Sequence, residues 1–303
     1  MAVVDASLPI RAVGLSKSFR ATLAVDRIDL TVGPGEVFGF LGPNGAGKST
    51  TIRLLLGLLR PTAGQVLIFG TDAADAVAAH RRLAYVPADV ALWPSLTGAE
   101  CLQLLANLGP GIDRSYRNEL LQRFDLDVDK RCGTYSTGNR QKVALVAAFA
   151  TQADLLVLDE PASGLDPLME QEFRRCITAA VSRGQTVFLS SHHLAEVESV
   201  CDRVGILRAG RLVEVAGLDD LRRLRRTEVT VAFGPSAVVP AEELARTAGV
   251  SNVRRTSASN LSLTLTGSPA ATLRVLAAAD VVALDVREPS LEEIFLDYYG
   301  SAA

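Results

Sequence analysis

The sequence predicts an α/β fold built on a mostly parallel sheet, followed by a small α+β domain. Three observations lead there. Up to about residue 218, short apolar runs alternate with helical patterns and Gly/Pro turns, the βαβ rhythm of a sheet buried on both faces. One of those runs leads directly into a glycine-rich loop and a helix, the layout of a phosphate-binding turn. From Thr227 the order of elements becomes β-α-β-β-α-β, which suggests a ferredoxin-like sandwich. This predicts a main domain over 1–217, a linker helix over 218–226 and a C-terminal accessory domain over 227–303.

Taken in order, EVFGFL (36–41), VLIFG (66–70) and RLAYVP (82–87) read as strands, and so do LLVLD (155–159), TVFLSS (186–191) and RVGIL (203–207). Several are apolar at every position, as in strands buried on both faces. The stretch of about 89–150 differs: it is helical, lacks a convincing strand and is broken by Leu-Gly-Pro-Gly at 108–111. We read it as a helical subdomain inserted into the sheet core. LDDLRRLRR (218–226) is dense in charge and reads as a solvated linker helix, with a nucleic-acid or lipid-phosphate contact as the alternative. In the accessory domain TEVTVAF, VSNVRRT, LSLTLT and VVALDVR read as strands, and AEELARTA and SPAATLRVLAAA as helices. A last helix begins near Pro289, where Ser290 and Glu293 fit a capping box. Leu291, Ile294, Phe295 and Tyr298 share one face of it, suited to packing on their own domain or on a second subunit.

At 303 residues, 48% hydrophobic and 21% charged with a net charge of −3, the chain has the make-up of a folded protein. Its mild acidity disfavours nucleic acid as a partner. The four cysteines (Cys101, Cys132, Cys176, Cys201) stand far apart with no CxxC, against structural zinc and in keeping with reduced thiols. No signal-peptide pattern is expected at the N-terminus. No apolar stretch reaches the roughly 18 residues of a membrane span. Only four of the 31 basic residues are lysine (Lys17, Lys48, Lys130, Lys142), so each one invites a reason.

The residues 42–49, Gly42, Pro43, Asn44, Gly45, Ala46, Gly47, Lys48 and Ser49, match GxxxxGK[ST] between the strand EVFGFL and the helical STTIRLLLGLL. Glycines let backbone N–H groups converge on phosphate oxygens. The helix starting near Lys48 aims its positive end at the same anion. Lys48 supplies a compact charge to β- and γ-phosphates. Ser49 offers a hydroxyl to Mg²⁺, and Thr50 a further phosphate contact. The apolar run 155–158 ends in Asp159 and Glu160. Asp159 would help hold Mg²⁺, and Glu160 would act as general base on the attacking water.

With YSTGNRQK (135–142) about twenty residues upstream of that run, the arrangement resembles the ATP-binding subunit of an ABC transporter. YSTGN stands where the family has its LSGGQ-type signature, EPASGLD (160–166) looks like the D-loop, and SSH (190–192) like the H-switch. The tail EPSLEEIFLDYYG (288–300) resembles the C-terminal extension of drug- and antibiotic-export ATPases. The resemblance implies a P-loop ATPase core of ABC type, using ATP and Mg²⁺, in a head-to-tail pair with a second ATP-binding subunit, expected to be a homodimer. Ser136 and Gly138 would close on the γ-phosphate held by the partner's phosphate loop. Asp166 would cross the interface, and His192 would sense the γ-phosphate as a catalytic residue beside Glu160. Phe19 sits where the family stacks an aromatic on adenine.

A separate transmembrane permease would carry substrate and hold the chain at the cytoplasmic face of the membrane. Trp93 lies where the family receives that permease, and packing within the helical subdomain is the alternative. Ala88 stands where the family places a Gln or Glu, and Asp89 is expected to take part of that role, metal contact included. Thr137 and Asn139 also depart from the signature. Two other readings remain at this point: a soluble, non-transport ABC ATPase, and a catalytically weak regulatory module.

Overall fold

The computed structural model describes residues 8–223, 227–235 and 237–287. The chain divides into two compact units between residues 217 and 218. The first opens with an antiparallel hairpin of β1 (Ile10–Phe19) and β2 (Thr22–Val32), then β3 (Val37–Leu41) and α1 (Lys48–Leu55). Next come β4 (Ala63–Ile68), β5 (Thr71–Asp72), α2 (Ala76–Ala79) and β6 (Leu83–Val86). Three helices follow without an intervening strand: α3 (Gly98–Leu108), α4 (Arg114–Arg123) and α5 (Thr137–Phe149). The unit closes with β7 (Leu155–Asp159), α6 (Pro167–Ser182), β8 (Thr186–Ser191), α7 (Leu194–Val200), β9 (Arg203–Arg208) and β10 (Arg211–Gly217).

Two sheets share this unit. The larger has strand order β10-β9-β3-β8-β7-β6 and is parallel except at β10. The smaller, β2-β1-β4-β5, is antiparallel. The expected mostly parallel sheet is present, and beside it stands an antiparallel sheet that the apolar runs did not distinguish. VLIFG does not join the parallel sheet, because Val66, Leu67 and Ile68 pair with β1. The strands β1, β2 and β10 had no apolar run to announce them, since β1 and β2 interrupt their buried positions with exposed or half-buried ones and β10 has no fully buried residue.

Every residue of β3, β7 and β8 is buried, as parallel strands covered on both faces must be. Phe38 stacks on Phe188 with centroids 5.8 Å apart, and Phe40 lies 5.4 Å from the same ring. Such pairs add about 0.5–1.5 kcal/mol each beyond burial. The register decides where chemistry collects. Leu41 lies level with Ser191, and Asp159 level with Ser190. The C-terminal ends of β3, β7 and β8 therefore share one edge, where open α/β sheets bind ligands.

The second unit holds α8 (Leu218–Arg223), β11 (Thr227–Phe233), α9 (Ala241–Arg246), β12 (Val250–Arg255), β13 (Asn260–Leu265), α10 (Ala270–Ala277) and β14 (Val281–Arg287). Its sheet has order β12-β13-β11-β14, all antiparallel. This is the ferredoxin-like arrangement, with Val229, Val231, Phe233, Leu261, Leu263 and Leu265 forming its core with Leu244 and Leu276. The expected last helix and its face of Leu291, Ile294, Phe295 and Tyr298 lie outside the described residues, as do 224–226 of the linker.

Candidate active site

The loop between β3 and α1 encloses a cleft of about 420 Å³. Pro43, Asn44, Gly45, Gly47, Lys48, Ser49 and Thr50 line it, with Ala24, Ala88, Glu160, Ser163 and His192. Gly47 caps α1 at φ 107°, and a Cβ there would meet the Ala24 carbonyl oxygen at 2.5 Å. A Cβ on Gly42 would meet the Leu207 carbonyl oxygen at 2.5 Å. Both positions require glycine for space, and Gly47 for conformation as well. Gly42 and Ala46 do not line the cleft: Gly42 O accepts from Lys48, and Ala46 is buried, its carbonyl accepting from Gly210 N–H at 2.9 Å.

Lys48 is only 6% exposed. Its Nζ donates to Gly42 O at 2.7 Å and pairs with Glu160 Oε1 at 3.2 Å. A buried ammonium must be partnered in this way. Glu160 reaches the cleft through a backbone at φ 50°, in the left-handed region that a non-glycine residue rarely adopts. Its other oxygen, Oε2, contacts His192 Nδ1. One carboxylate thus bridges the loop lysine and the imidazole.

Asp159 is buried and does not line the cleft. Ser190 Oγ donates to its Oδ1 at 2.5 Å and accepts from Glu160 N–H at 3.1 Å. Sequence reasoning gave Ser190 no role of its own. The signal was present: aligning the two predicted strands LLVLD and TVFLSS in parallel sets Asp159 beside Ser190. A second residue missed is Gln141, buried on α5, whose Nε2 donates to Pro161 O at 2.9 Å. It ties the signature helix to the segment that follows Glu160.

Ser136 is the N-cap of α5, accepting from Asn139 N–H at 3.2 Å. Gly138 is packed so closely that a Cβ would stand 2.6 Å from Gly164 O. Asp166 caps α6, its Oδ1 accepting from Leu168 and Met169 N–H at 3.0 Å each. These three residues do not line the cleft of their own chain. Nor does Phe19, which is 45% exposed at the end of β1 with Lys17 Nζ 5.2 Å from its ring centre. Ala88 lines the cleft, whereas Asp89 is exposed and outside it. His193 does not line the cleft, although its ring centre is 3.9 Å from that of His192. Trp93 is 47% exposed.

The donor set fits polyphosphate. Lys48 is held at the mouth of α1, no acidic residue stands in that helix's first turn, and two hydroxyl-bearing residues, Ser49 and Thr50, line the cleft. The Ser49 hydroxyl in the cleft suits a hard divalent cation, whereas Asp159, buried outside the cleft lining and bonded to Ser190 Oγ, would reach such an ion through water. Among the described residues no group of three or more His, Cys, Asp or Glu could hold a metal ion. No helix among them is long and apolar enough to cross a membrane.

Residues 25–163 match the family described as ABC transporter, and residues 217–299 match the one described as ATP-binding protein DrrA1-3-like, C-terminal domain. The daunorubicin/doxorubicin resistance ATP-binding protein DrrA of Streptomyces peucetius is 34% identical over 317 residues, covering 97% of this chain and 94% of that protein. The bacitracin transport ATP-binding protein BcrA of Enterococcus faecalis is 35% identical, covering 75% of this chain and 76% of that protein. A solved ATP-binding subunit of an ABC transporter superposes with TM-score 0.65 at 34% identity, covering 71% of this chain and 92% of that one. A dimeric ATP-binding cassette with ADP and Pi bound shares the fold at TM-score 0.63 and 22% identity, covering 69% of this chain and 98% of that one.

Proposed function

This chain belongs to the ABC transporter family as an ATP-hydrolysing, ATP-binding subunit, and from that premise we propose that the cleft around Lys48 is where ATP is cleaved to drive export. The observation that carries the reading is the convergence of Lys48, Glu160 and His192: one carboxylate bridges both other groups inside a loop built for phosphate. Lys48 and the N–H groups at the start of α1 bind and orient the β- and γ-phosphates. Ser49 and Asp159 would hold Mg²⁺, which when bound neutralises phosphate charge. Glu160 takes the proton of the attacking water. His192 holds Glu160 in place and reaches the γ-phosphate.

Ser136, Gly138 and Asp166, outside their own chain's cleft, serve a partner subunit in a head-to-tail homodimer. Its second face meets a transmembrane permease, with Trp93 as an exposed anchor, at the cytoplasmic side of the membrane. Relatives named for bacitracin transport and daunorubicin resistance support drug or antibiotic export. Phe19 stacks on adenine in this reading, and Asp89 assists the metal only if its loop shifts. Ala88 presents a methyl to the cleft, which favours slow turnover and keeps a weakly catalytic, regulatory role as the second reading.

The test is Glu160→Gln in the purified chain. ATP binding should persist, with nucleotide-stabilised dimers, while phosphate release falls on the order of 10²–10³-fold. Wild-type turnover in this variant would sink the assignment. Co-purification with the membrane protein encoded next to it, and drug-stimulated ATPase of the pair, tests the export role.

A further inference from the structure

Glu196, in the first turn of α7, takes no part in the mechanism above. It lines a second cavity of about 450 Å³ that shares Glu160, Ser163 and His192 with the nucleotide cleft. Its Oε2 accepts from Ser191 Oγ at 2.6 Å, and Ser191 Oγ accepts in turn from His193 N–H at 2.9 Å. Its Oε1 is buried with no hydrogen-bond partner. Ser191 is the fully buried last residue of β8. The linked chain Glu196–Ser191–His193 therefore brackets His192 on both sides.

A hydroxyl has one proton to give. Donated to Glu196, it sets the hydroxyl rotor so that a lone pair meets His193 N–H. Without that acceptor the proton turns to His193 O, 3.2 Å away, and the turn loses its tie to α7. The groups facing Glu196 are Glu170 and Arg174 from α6, Glu160 past β7, His192 and His193 past β8, and Cys201 at the end of α7. The adjoining β3 brings no titratable side chain. Burial, with the charges of Glu160 and Glu170 nearby, outweighs the Ser191 donor and pushes the Glu196 carboxyl up to about 7.

We propose that Glu196 is a positioning residue for ATP hydrolysis: through Ser191 it fixes the turn that aims His192 at Glu160, and its ionisation adjusts that aim. The proposal rests on the assignment of Glu160 and His192 to hydrolysis. Steady-state ATPase of the full chain, measured from about pH 5.5 to about pH 9, tests it. Glu196→Ala should lower kcat about tenfold with KM changed less than about twofold. Ser191→Ala should cost a similar factor, and the double variant no more. Glu196→Gln keeps the acceptor but cannot ionise, so its kcat relative to wild type should change through a step near pH 7.

Stability supplies a second readout. A carboxyl with raised pKa contributes stability that is full below the ordinary carboxylate range and lost as pH rises through about 7. The melting temperature of Glu196→Gln should therefore gain on wild type across that window. A kcat ratio independent of pH, additive losses, or a raised KM with unchanged kcat in Glu196→Ala would each overturn the proposal. Glu160→Gln in the same assay separates the layers. If it loses turnover while the ratio is flat, only this proposal fails; if it keeps turnover, the underlying assignment fails and this proposal with it.

Discussion

Lys48 is held between Gly42 O and Glu160 Oε1 with almost no solvent contact. A compact, rotatable ammonium fits that slot, and arginine's planar fork does not. Lys48→Arg should cost turnover on the order of 10²–10³-fold in a phosphate-release assay, and wild-type rates would contradict the account of the loop. Ser190 makes a less obvious case. Its hydroxyl satisfies buried Asp159 and shares Glu160 N–H with the Ser190 carbonyl oxygen, beside the left-handed backbone of Glu160. Ser190→Ala should destabilise the fold by about 1–3 kcal/mol in urea denaturation and lower ATPase activity. An unchanged denaturation midpoint would show that these bonds carry no weight. Lys48, Ser49, Asp159 and Glu160 were legible because their spacing follows a local chemical template. Ser190 was legible only by pairing TVFLSS beside LLVLD, because its role depends on which strand lies beside β7.

Helix ends do much of the positioning. Asp166 accepts two N–H groups at the start of α6, with Pro167 at the first helical position. Asp166→Ala should cost about 1 kcal/mol in thermal or urea unfolding, whereas Asp166→Asn keeps the acceptor. ATP hydrolysis by the Asn variant then isolates the proposed interface role: a marked loss supports it, and wild-type rates reduce Asp166 to a cap. Ser136 caps α5 in the same manner, so the signature's hydroxyl also orders its own helix. Further along that helix, Gln141 reaches Pro161 O. This places α5 and the segment after Glu160 in one bonded assembly, a link that periodicity alone could not reveal.

Across the whole chain, the cysteines are free and buried. Burial pushes the Cys132 thiol up to about 12 and Cys176 to about 11, and Cys201 well above the ordinary thiol range. Native protein should therefore label slowly with an aromatic disulfide reagent near pH 8, and all four thiols should react once it is denatured; rapid native labelling would contradict this packing. The tail is tested by removing residues 288–303: a lower melting temperature or weaker dimerisation is expected if its apolar face packs, and no change in either would count against it. By itself the sequence determined the phosphate loop, the acidic end of β7 and the βαβ rhythm, because each is written in contiguous residues obeying local geometry. It also carried the β-α-β-β-α-β order of the second unit. Only the tertiary structure decided that β4 leaves the parallel sheet for an antiparallel one. It alone brought Ser190 and Glu196 to the surroundings of Glu160 and drew Gln141 onto Pro161. Those contacts join segments far apart in the chain, and their register is fixed by packing that no local pattern records.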